Sequence, residues 1–403
     1  MSIATRFALF CLLSLALPVT AQTLTTVDSF TLSGGVVGQH TSIAIGSDGL
    51  PVISYYDDSA DTLKVAHCTN AACTGAATIT TVDDPAVNLV GESTSIAIGS
   101  DGRPVISYRD LTANALKVAK CANAACTGAA TITTVDDPAN SVGQYSSIAI
   151  GSDGLPVISY TDHTAFALKV AKCANAACTG AATITTVDPA SGAGFYTSIA
   201  IGNESVGLPV ISYQNLSTGT LTVAKCANAA CTGTATITSV DAAGSGVGYY
   251  TAIAIGSDGR PVISYMQLPT LTTGMLKVAK CANAACTGMA TITTVDDPVN
   301  SVGFHTSIGI GGDGLPVISY KDITADSLKV AKCTNAACTG AATITVIDDY
   351  AQPNSFLGDY TSIAISSDGL PVISYWDQTG FALKAAKCTT PSCSNVLLAN
   401  GFE

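Results

Sequence analysis

The chain has 403 residues, 47% of them hydrophobic and only 11% charged, with a net charge of −12. So acidic a balance disfavours nucleic acid and anionic surfaces as partners. The apolar fraction is ample for a compact core, and after the N-terminus no run is long and apolar enough to cross a bilayer.

Residues 1–21 read as an address. Arg6 opens a short apolar run, and Val19-Thr20-Ala21 offers small residues ahead of Gln22. This is the pattern of a Sec-type signal peptide cleaved near Ala21, so a secreted or periplasmic protein without membrane insertion is expected. Loss of Arg6 leaves 16 basic against 29 acidic residues, a net charge of about −13.

Next comes an isolated β-patterned run, Thr23-Leu24-Thr25-Thr26-Val27-Asp28, and then one phrase repeated seven times. Ser-Ile-Ala-Ile-Gly-Ser-Asp-Gly-Leu-Pro-Val-Ile-Ser-Tyr starts at Ser42 and returns, slightly altered, from Ser95, Ser147, Ser198, Ala252, Ser307 and Ser362. A period of 51 to 55 residues signals a solenoid, a propeller or an array. In the second copy four short runs rich in Val, Ile, Thr and Tyr predict strands a to d at residues 94–98, 104–108, 116–120 and 131–136. Gly99-Ser100-Asp101-Gly102 is a hairpin signal between a and b. Pro104 opens strand b, where a missing N–H is tolerated. Four antiparallel strands in each of seven units describe an all-β, seven-bladed β-propeller over residues 22–393, with residues 394–403 as a tail. The early run at 23–28 copies strand d, while the last repeat lacks a good one. The N-terminal strand should therefore complete the last blade, closing the ring and removing an exposed sheet edge. Residues 395–398 are the weaker local competitor for that place.

Cys11 leaves with the signal, and the remaining cysteines form seven Cys-x4-Cys pairs: Cys68/Cys73, Cys121/Cys126, Cys173/Cys178, Cys226/Cys231, Cys281/Cys286, Cys333/Cys338 and Cys388/Cys393. An even count at fixed local spacing in an exported chain reads as disulfides, each closing the link between strands c and d. Thiolate metal ligation is the rival, but the repeats lack further ligands, since only His67 adjoins a pair. The repeats resemble secreted microbial propeller proteins carrying a Ser-Ile-Ala…Gly-x-Pro-x-Ile-Ser-Tyr-Tyr-Asp phrase followed by Leu-Lys-x-Ala, best matched by residues 42–66. The resemblance covers residues 23 to 393 and extends distantly to propellers of the fucose-lectin type. It implies the fold far more than an activity.

In such blades the b–c and d–a links share one face, here the top, while the a–b hairpins and disulfide loops share the bottom. Bottom loops are nearly identical and top loops differ, as a stiff scaffold with a binding face would have it. Twenty-one of the 29 acidic residues fall at the top. Asp28, Asp83, Asp136, Asp188, Asp241, Asp296 and Asp348 end strand d, and Lys64, Lys117, Lys169, Lys277, Lys329 and Lys384 are expected to meet them across the blade as exposed pairs. Leftover carboxylates such as Asp57, Asp58, Asp84, Asp137, Asp297 and Asp349 could hold Ca²⁺, but no dense carboxylate loop is present and no cofactor or metal is expected.

One column stands out. Two residues before each phrase come His40, Ser93, Tyr145, Tyr196, Tyr250, His305 and Tyr360. Placed ahead of the innermost strand, they should ring the top of the central channel. His40, Tyr145, Tyr196, Tyr250, His305 and Tyr360 are thus the candidate ligand-binding residues, with channel plugging as the bland alternative. The imidazoles would make binding sensitive to pH between roughly 5.5 and 7.5. The tyrosine that ends the phrase, Tyr55 and its six counterparts, is expected to be structural.

No Gly-x-Ser-x-Gly elbow, zinc-protease motif or phosphate loop occurs. Arg103, Arg109 and Arg260 are too few and too scattered for a sialidase-like arginine cluster, and Trp376 stands alone where a lectin with one site per blade would repeat it. No catalytic residue is assigned. The expectation is a monomeric, non-enzymatic protein binding an extracellular glycan or protein. A lectin, and a glycosidase or lyase using top-face carboxylates, are the alternatives.

Overall fold

In the computed structural model residues 22–29, 35–242, 244, 246–270, 273–297, 301–349 and 357–394 are described, so residues 1–21, where a signal peptide is expected, and residues 395–403 lie outside the described residues. The chain forms seven four-stranded antiparallel sheets arranged as a ring, a seven-bladed β-propeller. In the first blade strands a to d are Val37–Ile45, Pro51–Asp57, Thr62–His67 and Thr78–Asp83. The seventh contributes only a, b and c, Leu357–Ile365, Pro371–Asp377 and Ala382–Cys388, and its outer strand is the N-terminal Gln22–Ser29. Seven residue pairs from Gln22 opposite Cys388 to Ser29 opposite Ala382 fix this closure.

The core is seven interblade layers. Between the first two blades, Val52, Leu63 and Val65 of one pack against Val90, Ile96, Ile106, Tyr108, Cys121 and Cys126 of the next. Both faces of strand b are buried in every blade, which is why Pro-Val-Ile-Ser-Tyr recurs unchanged seven times.

All seven cysteine pairs are bonded within their own loop: Cys68 to Cys73, Cys121 to Cys126, Cys173 to Cys178, Cys226 to Cys231, Cys281 to Cys286, Cys333 to Cys338 and Cys388 to Cys393. Their Cα atoms lie 4.7 to 4.9 Å apart. The second cysteine of each pair, Cys73, Cys126, Cys178, Cys231, Cys286, Cys338 or Cys393, has a left-handed backbone with φ 54° to 56°. A non-glycine residue adopts that conformation only where its surroundings hold it. Here the Cys73 N–H donates to the Asn70 carbonyl at 3.0 Å, and the same bond recurs in each loop, to Asn123, Asn175, Asn228, Asn283, Asn335 and finally Thr390. The cysteines are also buried, so they belong to the interblade core and not to the loop surface. Seven disulfides fit an extracellular or periplasmic environment, and no helix among the described residues is long and apolar enough to cross a membrane.

Polar rungs tie each blade to the next. Near the axis a Ser or Thr of strand a bonds a strand-b serine of the preceding blade at all seven interfaces, as in Thr94 to Ser54 and Thr251 to Ser212. Farther out, the strand-d aspartate accepts a hydrogen bond from the buried strand-b tyrosine of the following blade at 2.5 to 2.7 Å, from Tyr55 on Asp28 round to Tyr375 on Asp348. These tyrosines are structural.

The lysine pairs differ from the sequence expectation. Lys117 meets Asp83, Lys169 meets Asp136, Lys277 meets Asp241 and Lys384 meets Asp348, each across a blade boundary and largely buried. Lys64 instead takes Asp57, and Lys329 lies closer to Asp322, at 2.7 Å, than to Asp296, at 3.8 Å. Side-chain alternation is the reason. Lys117 stands opposite Tyr108 in register and shares its face toward the preceding blade, whereas Asp136 opposes Leu116 and turns toward the following one.

Two blades supply a matched test. Asp136 holds both Tyr160 and Lys169, at 2.6 Å each. Asp188 holds Tyr213 with no lysine, because Thr222 stands in that place. Asp136→Ala strands a buried ammonium and should cost about 3–5 kcal/mol. Asp188→Ala strands a neutral phenol and should cost about 1–3 kcal/mol. Urea unfolding of the two variants checks the order.

Candidate functional site at the channel mouth

Strand a enters from the top through two local irregularities in six blades and through one, between Phe195 and Ser198, in the fourth. In the second blade its pairing with strand b shifts between Val90 and Glu92 and again between Glu92 and Ser95. A glycine opens the bend. Gly248 has φ +92°, and a Cβ there would lie 3.1 Å from the Cα of Leu221 in the preceding blade. The six equivalent glycines behave alike, so blade contact itself demands the missing side chain.

Two residues on, all seven ring positions adopt φ between 51° and 53°, and none is glycine. Such backbone costs on the order of 1–2 kcal/mol per residue. It is what aims these side chains into the channel. The ring residues therefore lie inside strand a, which starts at Val90 in the second blade and not at Thr94 as the sequence suggested. A β-bulge hides the earlier pairing from a period-two pattern.

All six candidate residues line one cavity of about 230 Å³, together with Ser93 and the belt of Thr and Ser hydroxyls behind them. No cysteine lines it, so the disulfides take no part in the site. Successive ring centroids are close: Tyr145–Tyr196 4.5 Å, Tyr196–Tyr250 4.6 Å, Tyr250–His305 4.4 Å, His305–Tyr360 4.7 Å and Tyr360–His40 4.2 Å. Interplanar angles of 39° to 52° keep the rings tilted. Ser93 breaks the circle between His40 and Tyr145, so the aromatic wall is a horseshoe.

The wall is uncharged. Burial raises the Tyr145, Tyr196 and Tyr250 phenols, and it takes Tyr360 up to about 12 with help from nearby Asp359. Burial also drives His40 down to about 3, reinforced by His305, and His305 down to about 4 against the pull of Asp359. Neither imidazole titrates between pH 5.5 and 7.5, which corrects the sequence expectation of pH-switched binding.

Their cost appears as stability. Below pH 6.5 the unfolded chain takes up protons at both histidines and the folded chain does not. Stability therefore falls as pH drops from 6.5 toward 4, by at most about 1.4 kcal/mol per pH unit for each imidazole. A His40→Tyr, His305→Tyr variant, carrying the residue four other blades use, should show a smaller loss of urea midpoint between pH 7 and pH 5 than the parent.

Charges around the mouth are paired. His305 Nε2 lies 3.5 Å from Asp359, which also binds Lys321 at 2.5 Å. Arg109 is held by Glu92 at 3.4 Å and by Asn114 and Ser141 at 3.0 Å each. Every one of the thirteen lysines is ion-paired. Among the described residues, no three His, Cys, Asp or Glu side chains converge as a metal site would require.

Sequence reasoning missed the layer behind the ring. The residue after each Pro-Val-Ile-Ser-Tyr is Tyr56, Arg109, Thr161, Gln214, Met266, Lys321 or Trp376. All seven are buried and all differ. Arg109 Nε, Gln214 Oε1 and Trp376 Nε1 are buried without a hydrogen-bond partner. The signal was available: a column that varies completely beside five that never vary.

No family model matches the chain, and no curated protein does. Solved structures share the fold at low identity. Polysaccharide lyase Uly1 is 12% identical with a TM-score of 0.54, covering 89% of this chain and 92% of that one. The NanB sialidase from Streptococcus pneumoniae is 9% identical with a TM-score of 0.53, covering 91% and 70%. A mutant of AofleA from Arthrobotrys oligospora is 14% identical with a TM-score of 0.50, covering 81% and 89%.

Proposed function

We propose that this protein is directed at glycans and that the top channel mouth is its site. The carrying observation is the unbroken run of six mutually packed aromatic rings around a cavity of about 230 Å³. A pyranose offers an apolar C–H face to stack on a ring and hydroxyls at its edge for the phenols, imidazoles and the hydroxyl belt. The cavity lies below the roughly 300–1,000 Å³ of drug-sized pockets, so one or two sugar rings fill it.

The favoured class is uncharged sugar. With the lysines ion-paired and Arg109 engaged by Glu92, the mouth offers an acidic sugar no cation to spare.

A carbohydrate-active enzyme is the form of this function that the comparisons favour over binding alone, since a polysaccharide lyase and a sialidase share the fold. Asp359, which lies 3.5 Å from His305 at the mouth, is the carboxylate that reading would use. An uncharged-glycan array followed by product analysis tests both readings. Binding with turnover that Asp359→Asn abolishes supports the enzyme, and binding without products supports recognition alone. No interaction with any uncharged glycan would sink the proposal.

A further inference from the structure

One exposed aromatic is held where its backbone does not favour it. Phe166 closes the b–c turn of the third blade with φ 52° and is 42% exposed. Equivalent positions carry Asp61, Asn114, Gly219 and Asp326, residue types that accept a left-handed backbone. Phenylalanine there accepts strain and keeps much of its ring in water, so folding does not explain it.

Its surroundings do. Phe166 stacks nearly parallel on Phe195, at 6.2 Å and 16°. Phe195 in turn lies 6.0 Å from Tyr145, at one end of the horseshoe. His163 packs against Phe166 at 5.4 Å and Phe195 at 6.1 Å, and its Nδ1 is buried with no hydrogen-bond partner. A chain of ring contacts thus runs from the mouth beside the Ser93 gap, through the buried Phe195, to the exposed Phe166 at the rim between the third and fourth blades. Each step is close to the length of one pyranose unit.

The geometry points to a second, outer subsite at Phe166 and His163, which takes the continuation of an uncharged linear glycan whose end sits in the mouth. This rests on the glycan reading of the mouth. Phe166 stacks on a sugar face, and His163 packs against its ring and braces it. Phe381, the same position in the seventh blade, is also left-handed, with φ 49°, and 46% exposed. It has no aromatic partner among the described residues, which makes it an internal control.

The test is titration calorimetry of the mature protein with matched di- and hexasaccharides of cello-, xylo- and manno-type, alongside thermal unfolding. Phe166→Asn and Phe381→Asn should each raise Tm by roughly 1–2 °C, because both relieve the same strain. Only Phe166→Asn should weaken the hexasaccharide, by roughly 5- to 10-fold, while leaving the disaccharide unchanged. Tyr250→Ser with His305→Ser should weaken both lengths. If Phe166→Asn binds the hexasaccharide as the parent does while the mouth variant fails, the outer subsite is wrong and the mouth stands. If the parent binds neither length in any series, the mouth reading and the subsite fall together.

Discussion

A chain that begins at Phe30 should lose its cooperative fold. Removing Gln22–Ser29 deletes the outer strand of the seventh blade, with seven register pairs against Ala382–Cys388. It also leaves Tyr55, a fully buried tyrosine, without the Asp28 carboxylate that accepts its hydroxyl. At about 1 kcal/mol net for each backbone hydrogen bond, plus the orphaned phenol, the loss is on the order of 5 kcal/mol or more. That approaches the whole stability of many domains. The bare edge would also recruit other chains. Urea unfolding and size-exclusion chromatography should show a broadened, early transition and aggregates. Adding the peptide Gln-Thr-Leu-Thr-Thr-Val-Asp-Ser in trans should restore part of the transition, since a strand can dock on a free edge. A truncated chain as stable as the parent would mean that another segment closes the ring.

Tyr250→Ser with His305→Ser should reduce glycan affinity by roughly 10- to 100-fold, as two stacking surfaces of about 0.5–1.5 kcal/mol each disappear along with their hydrogen bonds. The two rings are adjacent, 4.4 Å apart, so the change opens the middle of the horseshoe. Folding should survive. Ser93 already occupies the same position in the second blade at φ 52°, which shows that a small side chain is accommodated there. Circular dichroism and the urea midpoint verify this separately from binding. Unchanged affinity in a folded double variant would move the site away from the channel.

The architecture was legible because repetition makes each weak strand signal count seven times, and because the run at residues 23–28 matches strand d wherever that strand occurs. Candidate site residues were legible for a related reason: in a chain of near-copies, a column holding His, Ser and Tyr stands out. What could not be read was direction. The period-two pattern gave Lys117 a neighbour in Asp136 of its own blade, yet pleating turned it to Asp83 of the previous one. Cysteine spacing gave the disulfide partners, yet not the left-handed turn at Cys73 and its six counterparts, which depends on a carbonyl three residues earlier. The bulge at each ring position was invisible too, since it depends on a glycine two residues earlier meeting a leucine backbone of the preceding blade. Titration of His40 and His305 followed from burial beneath neighbouring rings, and composition carries no trace of that. Nothing in the sequence marked Phe166, which stands out only through its backbone angle and its stack on Phe195.

The most direct measurement is a crystal structure of the protein with the uncharged oligosaccharide that binds it best. A sugar ring should lie in the channel mouth, within about 4 Å of the Tyr196, Tyr250 and Tyr360 rings, with the next units running past Phe195 toward Phe166. Density for the sugar in a cleft between blades or among the disulfide loops of the bottom face, with the mouth holding only water, would contradict the account.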